Sequence, residues 1–193
     1  MVLAAGLSRR LGGHKALARV HGMSLIRRTV RVLAPLGATE VIVVLPPRAA
    51  RMRQELRRLP VSCIENRRRA DGLSTSIHRG LAAARAGAAV LFLPVDLVHL
   101  ERRDLERMIK RWMGARRRLI ARRLGASGGI PLILPRRLCG RARDISGDRG
   151  LKELAAGLPQ DQRVLMDLPS AEFDVDTPED LKRARTCRRR ALR

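Results

Sequence analysis

Three kinds of residue in this chain have the means to handle phosphates: glycines that bare the backbone, cations beside them, and carboxylates at the ends of apolar runs. The segment Leu3-Ala4-Ala5-Gly6-Leu7-Ser8-Arg9-Arg10-Leu11-Gly12-Gly13-His14-Lys15 passes from an apolar strand into a loop with three glycines. Glycine lets backbone N–H groups approach an anion closely, and Ser8, Arg10 and Lys15 add a hydroxyl and two cations. Such a loop suits a polyphosphate cradle; by composition alone it is equally a glycine-rich connector with exposed cations. It is not a Walker A loop, because no Gly directly precedes Lys15 and Ala16 stands where Ser or Thr would hold Mg²⁺. Nor does it match G-x-G-x-x-G.

A second group is Asn66 followed by Asp71-Gly72-Leu73-Ser74-Thr75-Ser76. Ser74 and Ser76 stand at an expected helix start, where unpaired N–H groups favour anions or base carbonyls, and Ser74 would serve equally as an ordinary N-cap. Asp96 lies just past an apolar run, a place for a metal ligand or a turn residue. Asp174 and Asp176 share one face of an extended segment. That spacing suits a hard cation such as Mg²⁺, which takes one or two carboxylates with phosphate oxygens and water. Thr177-Pro178-Glu179-Asp180 is a good helix start, so either aspartate can bind metal only if it turns away from that cap. Asp176 is the preferred one of the two. His14, His21, His78 and His99 show no ligand spacing.

Short apolar runs alternate with amphipathic stretches, and these elements must position the candidates. Strands are expected at 1–5, 39–45, 61–65, 88–94, 119–122, 131–134, 163–167 and 172–175. Helices are expected at 24–36, 48–59, 74–86, near 102–113, at 151–156 and from about Pro178 onward. This order implies an α/β fold: a largely parallel sheet, right-handed crossovers and helices on both faces. Ligands then bind beyond the carboxyl ends of the strands, where the glycine loop and Asp96 both fall. A single domain over 1–181 is expected, followed by a basic tail at 182–193.

The 193 residues hold 41 Lys+Arg against 18 Asp+Glu, a net charge of +23. All but four of the basic residues are arginine, spread from Arg9 to Arg193. Dispersal argues for compositional bias over a nucleic-acid footprint, and Phe92, Phe173 and Trp112 are too few for stacking platforms. With 45% hydrophobic residues the chain is expected to fold as a globular domain. Cys63, Cys139 and Cys187 lack C-x-x-C spacing, which fits a reducing cytoplasm and indicates no zinc site. No apolar run reaches membrane-spanning length.

The string L-A-A-G-x-S-x-R-x-G-x-x-K resembles the characteristic loop of nucleotidyltransferases related to molybdenum cofactor cytidylyltransferase. Further resemblances follow in order. Asn66 and Gly72 to Ser76 look like the family's second nucleotide-facing segment, and Leu93-Pro94-Val95-Asp96 sits where the family has a strand-end metal ligand. Gly129-Ile130-Pro131 and Ser146 to Gly150 resemble its G-H-P and L-x-G-D-x-G segments, and Phe173 to Leu181 its D-I-D-T-P-E-D-L ending. Together they cover roughly 1–181.

The resemblance implies a Rossmann-like three-layer nucleotidyltransferase fold with a mostly parallel mixed sheet and helices on both faces, and transfer of CMP from CTP to the phosphate of a molybdopterin-type acceptor, with release of pyrophosphate. Leu3, Ala4, Ala5, Gly6, Ser8, Gly12, Asn66, Gly72, Ser74 and Ser76 would bind the nucleotide. Arg10 and Lys15 would stabilise phosphate charge, and Mg²⁺ would be held by Asp96 with Asp176 or Asp174. L-A-A-G in place of L-A-G-G favours CTP, on the strength of Ala5. Guanylyl transfer, or another phosphorylated acceptor, is the first alternative, and a basic nucleic-acid-binding protein on the same fold is another. A molybdoenzyme or its chaperone is an expected transient partner. The chain departs from the pattern at Leu97-Val98, where D-Q-P is usual, at Ile130 in place of His, and at Lys152 near a usual Arg.

Overall fold

Apolar residues at alternating positions build the centre of the molecule, with helices covering both faces of one sheet. The structure, a computed structural model, describes residues 1–125 and 127–187. In chain order the elements are β1 (Val2–Leu3), β2 (Arg19–Val20), β3 (Met23–Ser24), α1 (Leu25–Leu33), β4 (Ile42–Leu45), α2 (Ala50–Leu56), β5 (Ser62–Glu65) and α3 (Leu73–Ala83). There follow β6 (Val90–Pro94), α4 (Arg102–Met113), β7 (Leu119–Leu124), β8 (Ser127–Leu134), α5 (Cys139–Arg143), α6 (Leu151–Ala156), β9 (Arg163–Met166) and α7 (Pro178–Thr186).

The seven-stranded sheet has the order β5-β4-β1-β6-β8-β7-β9. Only β8 among these runs against its neighbours, antiparallel to β6 and to β7. The sheet is therefore mostly parallel but mixed, with helices on both faces. Val2, Ala4, Val43 and Leu45 point to one face, under Ile26 and Val30 of α1, Met52 of α2 and Leu105 and Met108 of α4. Leu3, Ala5, Val44 and Phe92 point to the other, under Ile77 and Leu81 of α3 and Leu151 and Leu154 of α6. This is the two-residue period of a strand buried on both sides.

Helix and strand ends differ from the sequence reading where a local rule intervenes. Pro35 and Gly37 convert the end of the first expected helix into a 3₁₀ turn, Ala34–Leu36. Residues 172–175 form no strand. The chain there crosses the carboxyl edge of the sheet, makes a single bridge between Asp174 and Leu97, and buries Val175 in a small cluster with Val20, Leu25, Val98 and Ala184. The β2–β3 hairpin was not expected, although its turn is marked in the sequence: His21 and Gly22 both adopt positive φ, which a tight two-residue hairpin turn needs. Of the expected basic tail, 182–186 lie in α7 and 188–193 lie outside the described residues.

β1, β4, β5 and β6 all end at one edge. The glycine loop, Asn66 and Asp96 emerge there, and the 171–176 crossover brings Asp174 and Asp176 to the same edge.

Candidate active site

The glycine loop is folded on itself by its own backbone. Ser8 (φ 51) and Gly12 (φ 70) take left-handed conformations on either side of a 3₁₀ turn, and the Ser8 hydroxyl accepts from the Lys15 backbone N–H at 3.2 Å. Ser8 thus closes the loop and sets the start of the turn that carries Lys15. Leu3, Ala4 and Ala5 are buried, whereas Gly6 and Gly12 are exposed with open space where a side chain would stand. Backbone N–H groups are bared at that point of the chain.

Lys15 reaches from this loop to two carboxylates that lie 80 residues apart in sequence. Its ammonium donates to Asp96 Oδ2 at 2.9 Å and to Asp176 Oδ1 at 2.5 Å, while Arg10 pairs with Asp176 Oδ2 at 2.8 Å. The Lys15 side chain is 13% exposed and the Asp96 and Asp176 side chains 21% and 31%, so the bridge is largely screened from water. Burial alone would lower the Lys15 pKa, but Asp96 and Asp176 outweigh it and hold the ammonium protonated above the usual lysine value. Asp174 stands beside them with its carboxyl pushed up by partial burial and by Asp96, against the pull of Arg122.

Asp176 is free of the helix cap that competes for it in the sequence. Thr177 Oγ1 accepts from the Asp180 N–H, and Asp180 Oδ2 accepts in return from the Thr177 and Asp176 N–H groups. Thr177 and Asp180 therefore cap the helix between them, and hydrogen bonds from the Thr177 hydroxyl, then from the Thr177 and Asp176 N–H groups, hold the Asp180 carboxyl below the ordinary value. The Asp176 side chain is left pointing at Lys15 and Arg10.

The donor set suits a hard divalent cation. Two carboxylates already converge on one positive charge, Asp174 adds a third negative group nearby, and the oxygens are of the kind Mg²⁺ or Mn²⁺ prefers. Among the described residues no three His, Cys, Asp or Glu side chains are grouped to hold one metal ion. Asp96, Asp174 and Asp176 are thus no three-ligand cage, and phosphate oxygens or water would complete any coordination.

The second segment is more structural than its motif suggests. Asn66 is fully buried at the end of β5; its amide donates to Thr75 Oγ1 and Ser76 Oγ, both at 2.9 Å, and its Oδ1 accepts from the Arg68 N–H. Asn66 pins the start of α3 to the sheet edge. Ser74 and Ser76 are 2% and 5% exposed, and the Ser74 N–H donates to the Gly147 carbonyl. Gly72 (φ 106) lies so close to Gly147 that a Cβ would fall 2.2 Å from its carbonyl carbon. This contact docks the 146–150 loop onto α3 and could not be read from either motif alone. Arg122 was also missed; its one signal is a charge within the expected strand 119–122, directly after the apolar run Leu119-Ile120-Ala121.

Residues 1–164 match the family described as the MobA-like NTP transferase domain. A curated relative from Opitutus terrae, named probable molybdenum cofactor guanylyltransferase, is 31% identical over 196 residues, covering 95% of this chain and 93% of the relative. The crystal structure of Rv0371c from Mycobacterium tuberculosis H37Rv is 26% identical, with TM-score 0.75 over 94% of each chain. A nucleotidyl transferase from Methanothermobacter thermautotrophicus shares the fold at TM-score 0.79 and 24% identity, covering 95% of this chain and 94% of that one. The expected nucleotidyltransferase fold is therefore present, and by the extent of these matches the chain belongs to the MobA-like NTP transferase domain family.

Proposed function

We propose that this nucleotidyltransferase transfers GMP from GTP to the phosphate of a molybdopterin-type acceptor and releases pyrophosphate. The observation that carries the reading is the convergence of Lys15 and Arg10 from the glycine loop with Asp96 and Asp176 from two distant segments. Two cations and two carboxylates at the rim of a glycine-bared loop are what a metal-bound triphosphate requires. The base follows the guanylyltransferase name of the 31% identical relative. The CTP expectation rested on Ala5, whose methyl is 1% exposed and packs in the core with Leu3, Val44 and Ile77. Ala5 therefore offers a base no side-chain contact and gives no ground for CTP, so the guanylyl reading rests on the relative's name and CTP is the second reading.

In this reading an acceptor phosphate oxygen attacks the α-phosphorus in line. The new P–O bond forms as the bond to the β-phosphate oxygen breaks, and the electron pair departs with pyrophosphate. Gly6 and Gly12 offer backbone N–H groups to the phosphates, with Arg10 and Lys15 stabilising charge on the α-phosphate and leaving group. A divalent cation, Mg²⁺ in the first instance, would be held by Asp96 and Asp176 and would screen the charge that builds on the phosphate oxygens. No nucleophilic side chain is needed, since such catalysis is positioning and electrostatics.

Pyrophosphate release from each of the four NTPs, with purified molybdopterin and Mg²⁺, tests the reading. Release with GTP is expected, and its abolition by Asp96→Asn in a folded protein is the control. Release with CTP alone would reverse the base assignment, and no release with any NTP would overturn the function.

A further inference from the structure

Arg122 is a charged residue in the sheet interior that the proposed reaction does not use. It lies on β7 immediately after the register shift between Ala121 and Arg122, with its backbone opposite Gly129 of β8 and Met166 of β9. The residue is 8% exposed. Its guanidinium donates to the Ala171 carbonyl and stands 3.5 Å from Asp174 Oδ1. The neighbouring backbone ties this pair to the active site: Asp174 bridges Leu97, and the Val175 N–H donates to the Asp96 carbonyl at 3.1 Å.

The three carboxylates are thus divided between two sets of cations. Asp96 and Asp176 share Lys15, with Arg10 on the far oxygen of Asp176, whereas Asp174 faces the buried guanidinium. Without Arg122 the Asp174 charge would stand beside Asp96 with no such partner, and the Ala171 carbonyl that fixes the crossover would lose its donor. The Arg122 side chain is 9% exposed and that of Asp174 46%, so removing the guanidinium leaves a half-exposed carboxylate beside Asp96 that solvent screens only in part.

We infer that Arg122 is a positioning residue that neutralises Asp174 and anchors the 171–174 turn, so that Asp96 and Asp176, and not Asp174, take the divalent cation. The second half of this inference rests on the proposed metal-dependent function; the first half does not.

A double-variant cycle tests the first half. Arg122→Met, which keeps most of the aliphatic stem, is expected to lower the thermal midpoint by about 3–6 °C, with Arg122→Lys intermediate. Adding Asp174→Asn should recover at least half of the Arg122→Met loss, since it removes the charge that needs compensation. No recovery would mean that Arg122 only packs, and would overturn the assignment. Mn²⁺ binding followed by electron paramagnetic resonance tests the second half on folded single variants. Asp176→Asn should weaken Mn²⁺ at least tenfold and Asp174→Asn less than twofold; equal losses would overturn it. If the wild-type protein bound no Mn²⁺, the metal reading would fail, while the stability cycle would still decide the Arg122–Asp174 pair.

Discussion

Replacing Lys15 by methionine should improve binding of a bare divalent cation while destroying catalysis. In the wild-type protein the Lys15 ammonium bridges Asp96 and Asp176 at 2.9 and 2.5 Å, where a metal held by both carboxylates would have to enter. Charge-assisted hydrogen bonds contribute about 1.5–3 kcal/mol each when dry. With the three side chains 13–31% exposed, the pair together is worth roughly 1–2 kcal/mol against solvent. A cation entering the wild-type site must displace that interaction; in Lys15→Met it need not. Mn²⁺ titrated in the absence of nucleotide should therefore bind about tenfold more tightly to Lys15→Met. Pyrophosphate release should fall at least a hundredfold, because the phosphates lose their cation. The pH dependence follows from sign. The folded-state pKa of Lys15 is raised, so the bridge is fully present below the unfolded lysine value and is lost only as pH rises through the raised one. The affinity difference between the two proteins should thus be flat from pH 7 to 9. Unchanged or weaker Mn²⁺ binding in Lys15→Met would refute the idea that the ammonium occupies the cation position.

Other expectations follow from single contacts. Gly72→Ala forces a Cβ to within 2.2 Å of Gly147 at φ 106, so urea denaturation should show a loss of about 3 kcal/mol or more. Thr177→Ala removes the oxygen that accepts from the Asp180 N–H, and should cost about 1 kcal/mol, read as a fall of about 2–4 °C in the thermal midpoint. Burial pushes the Cys63 and Cys139 thiols up while Cys187 is exposed. A thiol reagent at pH 8 should therefore modify Cys187 first in the native protein, and equal rates at all three would contradict the burial described.

The glycine loop, the strand-end Asp96 and the α/β order of elements were legible because each depends on local rules. Alternating apolar residues mark buried strands, Gly marks positive φ, and a carboxylate just past a buried strand falls at the ligand edge of a parallel sheet. The family resemblance rested on the same short, contiguous segments. The reversed strand β8 was less legible, since a short apolar run reads alike in either direction. Asn66 is the sharpest case. Its type and place suggest a group offered to a nucleotide, yet its amide is satisfied by Thr75, Ser76 and the Arg68 N–H.

Sequence by itself singled out the residues whose chemistry suits phosphate or metal, and set the glycine loop and Asp96 at one sheet edge. Which carboxylates meet which cations was decided only in three dimensions. Asp174 and Asp176 are two residues apart and chemically identical; Asp180 frees Asp176 from the cap, and the buried Arg122, 52 residues before Asp174 in sequence, faces Asp174. The physical reason is that local sequence specifies backbone conformation within a few residues, whereas charge pairing depends on distances between segments that only packing of the sheet brings together.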